Sequence, residues 1–146
     1  EQSPPPIAYR ARLLDSTSPE LLEEMIRNSW KLGETEQGYQ RFIKCFAPLL
    51  DAASNSANLP GEVSLLLRVL LVHEYRRILL RDPQLPAALL PQNWHGQLAY
   101  ELCRDLYGAL LGASEEYVSA ALVTQSGPLP PPGSGFFSRF GGLNPA

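Results

Sequence analysis

Proline and glycine crowd both ends of this chain and thin out in its middle, and that distribution limits where a fold can be built. Pro4, Pro5 and Pro6 stand near the start; Leu129 to Gly135 is almost all proline and glycine, and Gly141, Gly142 and Pro145 follow. Proline lacks a backbone donor and breaks helices and central strands, so such stretches hold neither element. We therefore expect Gln125 to Ala146 to be a disordered tail, with Phe136, Phe137 and Phe140 as aromatics suited to dock on a surface. The 146 residues are 45% apolar, enough for one domain with a core and too much for wholesale disorder.

The ends of the chain and its charge narrow the possibilities further. Ile7, Tyr9, Ala11 and Leu13 alternate weakly, which predicts one short N-terminal strand whose partner strand is not in the sequence. Residues 1–14 thus read as the end of a preceding domain or a linker. The most apolar run, Leu65 to Val72, is interrupted by Arg68, whereas a bilayer span needs about 20 apolar residues. Neither a membrane segment nor a charged and apolar leader is expected, and the compartment expected is the cytoplasm. The net charge of −3 disfavours nucleic-acid binding by this stretch alone, because that normally takes a basic excess.

Residues 15–124 read as a mainly α domain, a bundle of about five helices. Ser18 is placed to cap the first, with Pro19 at its first position and Glu20 in its first turn, and Gly33 is expected to end it. The second starts near Thr35 and aligns Tyr39, Phe42, Ile43, Phe46, Leu49 and Leu50, with Pro48 expected to kink it or stop it near Ala47. The polar stretch Ser54 to Gly61 is a loop. The third runs from Pro60 to Asp82–Pro83, and Leu85 to Pro91 is a turn with a short helical piece. Asn93 is placed to cap a fourth helix, Trp94 to Leu111, ended by Gly112. Ser114 would cap a fifth, to about Thr124.

The third helix is the informative one. At 100° per residue it has two apolar sides: Leu65, Val69, Val72, Leu79 and Leu80 on one, Leu67, Leu71, Tyr75 and Ile78 on the other. A helix apolar nearly all round is normally buried. Arg76 lies at the centre of the first side, His73 at its edge, and Arg68 on the other flank. A buried unpaired arginine costs several kcal/mol, so Arg68 and Arg76 each need an anionic partner or a route to water. Two partners fit: Asp105, at the edge of the fourth helix's apolar face, or a phosphate or carboxylate on a ligand, which the guanidinium fork suits. Arg77 and Arg81 fall on a solvated sector.

Catalytic and metal chemistry find no support. His73–Glu74 begins like a zinc-protease helix, but Arg77 stands where the second histidine would be. Cys45, His73, His95 and Cys103 show no paired-ligand spacing, so no metal is expected. His95 and Cys103 point to different sides of one helix and make a poor catalytic pair. Glu23–Glu24 and Glu115–Glu116 sit early in helices, where the dipole explains them. Both cysteines fall in apolar patterns and read as buried thiols. No catalytic residue and no resident cofactor are assigned.

A longer pattern is specific. His73, Glu74, Tyr75 and Arg76 are followed by Asp82, Pro83, Leu85 and Pro86, then by Leu89, Leu90, Pro91, Trp94 and Gly96; upstream stand Trp30, Lys31, Leu32, Tyr39, Phe42, Phe46 and Leu49. From about Leu14 to Leu111 the chain resembles the C-terminal region of the PaaX family, the repressors of phenylacetic acid degradation operons. The resemblance implies a bacterial transcriptional regulator that acts as a homodimer, contacts DNA through an N-terminal winged helix absent from this sequence, and responds to an inducer such as phenylacetyl-CoA or a related acyl-CoA. It supplies no inducer-contacting residues. The residues themselves nominate Arg68, Arg76 and Arg77 for phosphates, Tyr75 and Trp94 for adenine or acyl packing, and His73 beside them. The alternative is a passive structural or dimerisation module in which the same arginines are structural.

Overall fold

The structure, a computed structural model, describes residues 18–55, 59–125 and 127–143. The expected strand at Ile7 to Leu14 lies outside them. Helix α1, Pro19–Trp30, starts as its sequence dictates, with the Ser18 hydroxyl accepting from the Leu21 amide at 3.3 Å. It ends two residues before Gly33, at Lys31, which adopts a left-handed φ of 47°. Gly33 is inside α2, Leu32–Asn55. The turn sits there because Ile26 and Leu32, on either side of it, are both buried.

Pro48 does not end α2, which runs through it for 24 residues. Burial on both sides of the proline, with Phe46 in the core and Leu49, Leu50 and Ala53 packed against it, outweighs the one backbone hydrogen bond it forfeits. Helix α3 is Gly61–Leu79, and a 3-10 turn at Ala87–Leu89 follows. The expected fourth and fifth helices are one, α4, Gly96–Ala121. Asn93 lies outside it and His95 occupies the cap position, without a side-chain bond to the helix's own amides. Gly112 is exposed with open space around its Cα, so continuing the helix meets no clash. Ser114 is fully buried, and its hydroxyl bonds back to the Leu110 carbonyl at 2.6 Å instead of capping a new helix.

The helices form one layer pair around a single core. Tyr39, Phe42 and Phe46 of α2 and Leu71 and Tyr75 of α3 close on Ala99, Leu102, Cys103, Leu106, Tyr107, Leu110 and Leu111 of α4. Helix α4 packs on both others, most extensively on α3, and α1 touches chiefly α2. Helix α3 turns its Leu67–Leu71–Tyr75–Ile78 side to the core, with Val72 and Leu79 of the other side also packed against it, whereas Val69 and, just past the helix, Leu80 are 58% and 77% exposed.

The tail is the largest departure. Val123–Thr124 pairs antiparallel with Gly127–Pro128, and a four-residue helix α5, Ser134–Phe137, leads into a 3-10 turn at Arg139–Gly141. Phe136 and Phe140 pack on the core and Leu143 is buried in it. Burial of these three residues, together with a Leu143 amide bonded to the Phe137 carbonyl at 2.8 Å, offsets what proline and glycine withhold from regular structure. The turn needs positive φ at Phe140, 55°, and at Gly141 and Gly142, 83° and 129°.

Candidate functional site

The α3 helix presents its basic residues on one side of the α3–α4 contact, where the folded tail meets them. Arg68, His73, Arg76 and Arg77 line a single groove of about 540 Å³ with Tyr107 of α4 and Arg139 of the tail; Val69, Val72 and Leu80 supply its apolar surface. Four of the six candidates therefore converge, and Tyr75 and Trp94 do not join them.

The cations in this groove are not equivalent. Arg68, whose side chain is 12% exposed, bonds Glu115 at 2.6 Å and the Ser114 hydroxyl at 2.8 Å. Its guanidinium also lies 5.3 Å from the Tyr107 ring centre, a cation–π distance. The expected carboxylate was Asp105, but that residue is exposed and bonds Arg104 at 2.7 Å. Arg77 is held by both oxygens of Glu74 at 3.1 Å, and His73 stands 4.0 Å from the same carboxylate. Arg76, expected to be buried, is exposed; among the described residues it has no ion pair, so water satisfies it. Arg139 donates to the Tyr107 hydroxyl at 3.3 Å and stacks 4.8 Å from the Phe136 ring, with no ion pair among the described residues. Among the described residues, Arg76 and Arg139 are thus the arginines of the groove without an ion pair.

Tyr75 and Trp94 line a second, larger cavity of about 1040 Å³ with Tyr39, Tyr100, Phe140 and Asp82. The Tyr39 hydroxyl donates to Asp82 at 2.5 Å, and the other oxygen of Asp82 accepts from the Gln84 amide at 2.7 Å. The Tyr39 and Trp94 rings meet edge to face at 5.6 Å. His95 bonds Glu36 through both its backbone amide and its ring, fixing the loop before α4 onto α2. Gly96 is required there, since a Cβ would sit 2.5 Å from the Trp94 indole nitrogen. Burial first, then Asp82, raises the Tyr39 phenol, and burial pushes Tyr75 up to about 12. Both rings stay neutral packing surfaces at ordinary pH.

The two cavities share a wall. Phe140 lies 5.3 Å from Tyr107 of the groove and 6.0 Å from Tyr100 of the aromatic cavity, and its neighbour Arg139 belongs to the groove. The arrangement offers cations on one side and aromatic rings on the other. Burial drives the Cys103 thiol up to about 12, and Cys45, expected to be buried, is exposed on α2. Among the described residues no three metal-ligating side chains gather, and no helix is long and apolar enough to cross a membrane. Sequence reasoning missed Tyr107, Tyr100 and Glu115 on α4, and Arg139 on the tail. The trio of tail phenylalanines was the available signal for the last.

Residues 30–120 match the family described as PaaX-like protein C-terminal domain. Over 139 residues the chain is 38% identical to the transcriptional repressor PaaX of Escherichia coli. That alignment covers 94% of this chain and 44% of the relative, so the chain spans less than half of that protein's length.

Proposed function

The chain belongs to the PaaX-like C-terminal domain family, and on that premise we propose that it is the effector-sensing region of a bacterial transcriptional repressor of phenylacetate catabolism, with an aryl-CoA thioester such as phenylacetyl-CoA as inducer. The observation that carries the reading is the wall shared by a basic groove and an aromatic cavity. A coenzyme A thioester has the same two halves, a polyanionic nucleotide and an acyl head. Arg76 and Arg139, beside His73, take the phosphates; Arg68 and Arg77 stay with Glu115 and Glu74 and shape the groove; Tyr75 and Trp94 pack the aryl group. Contact with DNA belongs to a winged helix outside this chain.

An inducer changes DNA binding only if its affinity differs between the DNA-competent and DNA-incompetent states. The tail turn carrying Arg139 and Phe140 borders both cavities, so a ligand spanning them favours the arrangement in which that turn is closed. The test is calorimetric titration of the chain with phenylacetyl-CoA, with coenzyme A and phenylacetate as controls. Saturable binding of the thioester is expected, and no heat from any of the three refutes a sensor in this chain. A second reading, a passive module that packs against the rest of the repressor, is favoured by the exposed apolar side of α3, where Leu66, Val69 and Leu70 are 57%, 58% and 52% exposed. The silent titration is its expected result.

A further inference from the structure

Tyr75 carries a hydroxyl that its packing does not use. The ring lies 5.6 Å from Phe42 in the core, and the residue is only 9% exposed. A polar group buried to that extent normally has a hydrogen-bond partner. The Tyr39 hydroxyl has one in Asp82, whereas the Tyr75 hydroxyl bonds to nothing among the described residues. Nor is it sealed from water, since among those residues only Ser64 has a side-chain oxygen both sealed and unbonded. The free hydroxyl therefore opens into the aromatic cavity that Tyr75 lines. Two further observations say which atom it suits. The charged residues lining that cavity are Glu23 and Asp82, with no lysine or arginine among the described residues. An anionic oxygen would face like charges there with nothing to offset them, so the matching oxygen is a neutral one. Tyr100 links Tyr75 to the wall between cavity and groove. Burial raises the Tyr75 phenol most, and Cys103, Tyr100 and Asp82 close by raise it further; the Tyr100 ring in turn lies 6.0 Å from Phe140.

We propose that the Tyr75 hydroxyl donates a hydrogen bond to the carbonyl oxygen of an acyl thioester held in this cavity, and that this bond makes Tyr75 a specificity-determining residue. The inference rests on the reading of this region as an aryl-CoA sensor. The acyl head of a phenylacetyl thioester has one polar atom, the carbonyl oxygen, and that atom is neutral. It stands between the aryl ring and the sulfur of coenzyme A. With the ring against Trp94 and the phosphates beyond the Phe140 wall, the carbonyl falls in between, on the side where Tyr100 joins Tyr75 to that wall. A ligand of the same shape without a carbonyl would cover the hydroxyl and leave it unpaired, which costs affinity.

The test is calorimetric titration of the full chain with phenylacetyl-CoA and with the phenylethyl thioether of coenzyme A, in which a methylene replaces the carbonyl. Wild type is expected to bind the thioester about tenfold more tightly than the thioether. Tyr75→Phe keeps the ring against Phe42 and removes only the hydroxyl, so its thermal melt should stay cooperative, and the ratio of the two affinities should fall to about threefold or less. Infrared difference spectra with an isotope-labelled carbonyl give a second measurement. The bound C=O stretch should lie at lower frequency in wild type than in Tyr75→Phe, because accepting a hydrogen bond weakens the C=O bond. Equal binding of the two ligands by wild type overturns the proposal and leaves the sensor reading standing. So does a ratio that survives in Tyr75→Phe, or a carbonyl frequency that the substitution does not move. Binding of neither ligand refutes the sensor reading and this proposal with it.

Discussion

Removing Glu115 should cost this fold more than removing the arginine it pairs with. Arg68 is 12% exposed and Glu115 27%, so the two charges differ in how readily they reach water. Breaking a buried pair by deleting one partner costs about 3–5 kcal/mol when the remaining charge is stranded. In Glu115→Ala, Arg68 keeps the Ser114 hydroxyl at 2.8 Å and the face of Tyr107, which lowers the expected loss to about 2–3 kcal/mol. For a chain of 146 residues that is a fall in Tm of about 7–10 °C. Arg68→Met removes the stranded charge and fills similar space, and Glu115 can turn outward, so its cost should be about 1 kcal/mol. The double variant should resemble Arg68→Met. Urea unfolding followed by far-ultraviolet circular dichroism, with m unchanged, measures all three. The reasoning fails if Glu115→Ala lies within about 0.5 kcal/mol of wild type, or if Arg68→Met proves the more damaging.

Other outcomes follow from the same geometry. Arg76→Ala should leave stability within about 0.5 kcal/mol, because the residue is exposed and has no ion pair among the described residues, yet weaken phenylacetyl-CoA binding in the calorimeter by about tenfold. Gly61→Ala and Gly112→Ala should have opposite signs in thermal melts. A Cβ at 61 meets the Ala113 carbonyl oxygen and the Tyr117 Cβ at 2.6 Å and should cost about 1–3 kcal/mol. At 112 a Cβ meets nothing within 4 Å, so helix propensity should add about 0.5–1 kcal/mol. Stability should also fall at alkaline pH. Tyr75 and Cys103 are each raised to about 12 in the fold, from 10.0 and 9.0. Below those unfolded values both states are protonated; above them the unfolded chain ionises first, and stability is lost as pH rises towards 12 at about 1.4 kcal/mol per pH unit for each proton. Tyr75→Phe should flatten that slope between about pH 10 and 12, as read by urea midpoints across pH.

What the sequence disclosed was mostly local. The Ser18–Pro19 start of α1 depends on neighbouring residues alone, and it stands as read. The long helices are legible in their periodicity. Their interruptions are not, because Pro48, Gly112 and Ser114 carry helix-breaking propensities that burial of Phe46, Leu110 and Leu111 overrides. Periodicity also showed two apolar sides on α3 without a means of choosing the one that α4 would cover, and Arg76 was misplaced for that reason. Asp105 was weighed against a ligand anion as the partner of Arg68 or Arg76 from its place at the edge of the fourth helix's apolar face, and Glu115 was explained by the dipole of a separate fifth helix. With α4 continuous, Glu115 comes onto the face that meets α3. Phe140 was read as an aromatic suited to docking, but Arg139 escaped because proline and glycine describe what a backbone lacks, whereas three apolar side chains decide where this tail goes.

The unbroken α4 has a further consequence, for how the molecule opens. Its buried residues run from Ala99 to Ser114, with α2 and α3 packed against it. Its amides should therefore exchange with solvent only when the whole domain unfolds. Helix α1 rests chiefly on α2 and is joined to it by one left-handed residue, Lys31. It can swing out and return while Leu71, Leu106 and Leu110 stay dry, so its amides should exchange at a rate that small amounts of urea barely change. Within one domain, the slow-exchanging core and the fast-exchanging α1 should thus be joined through a single left-handed residue.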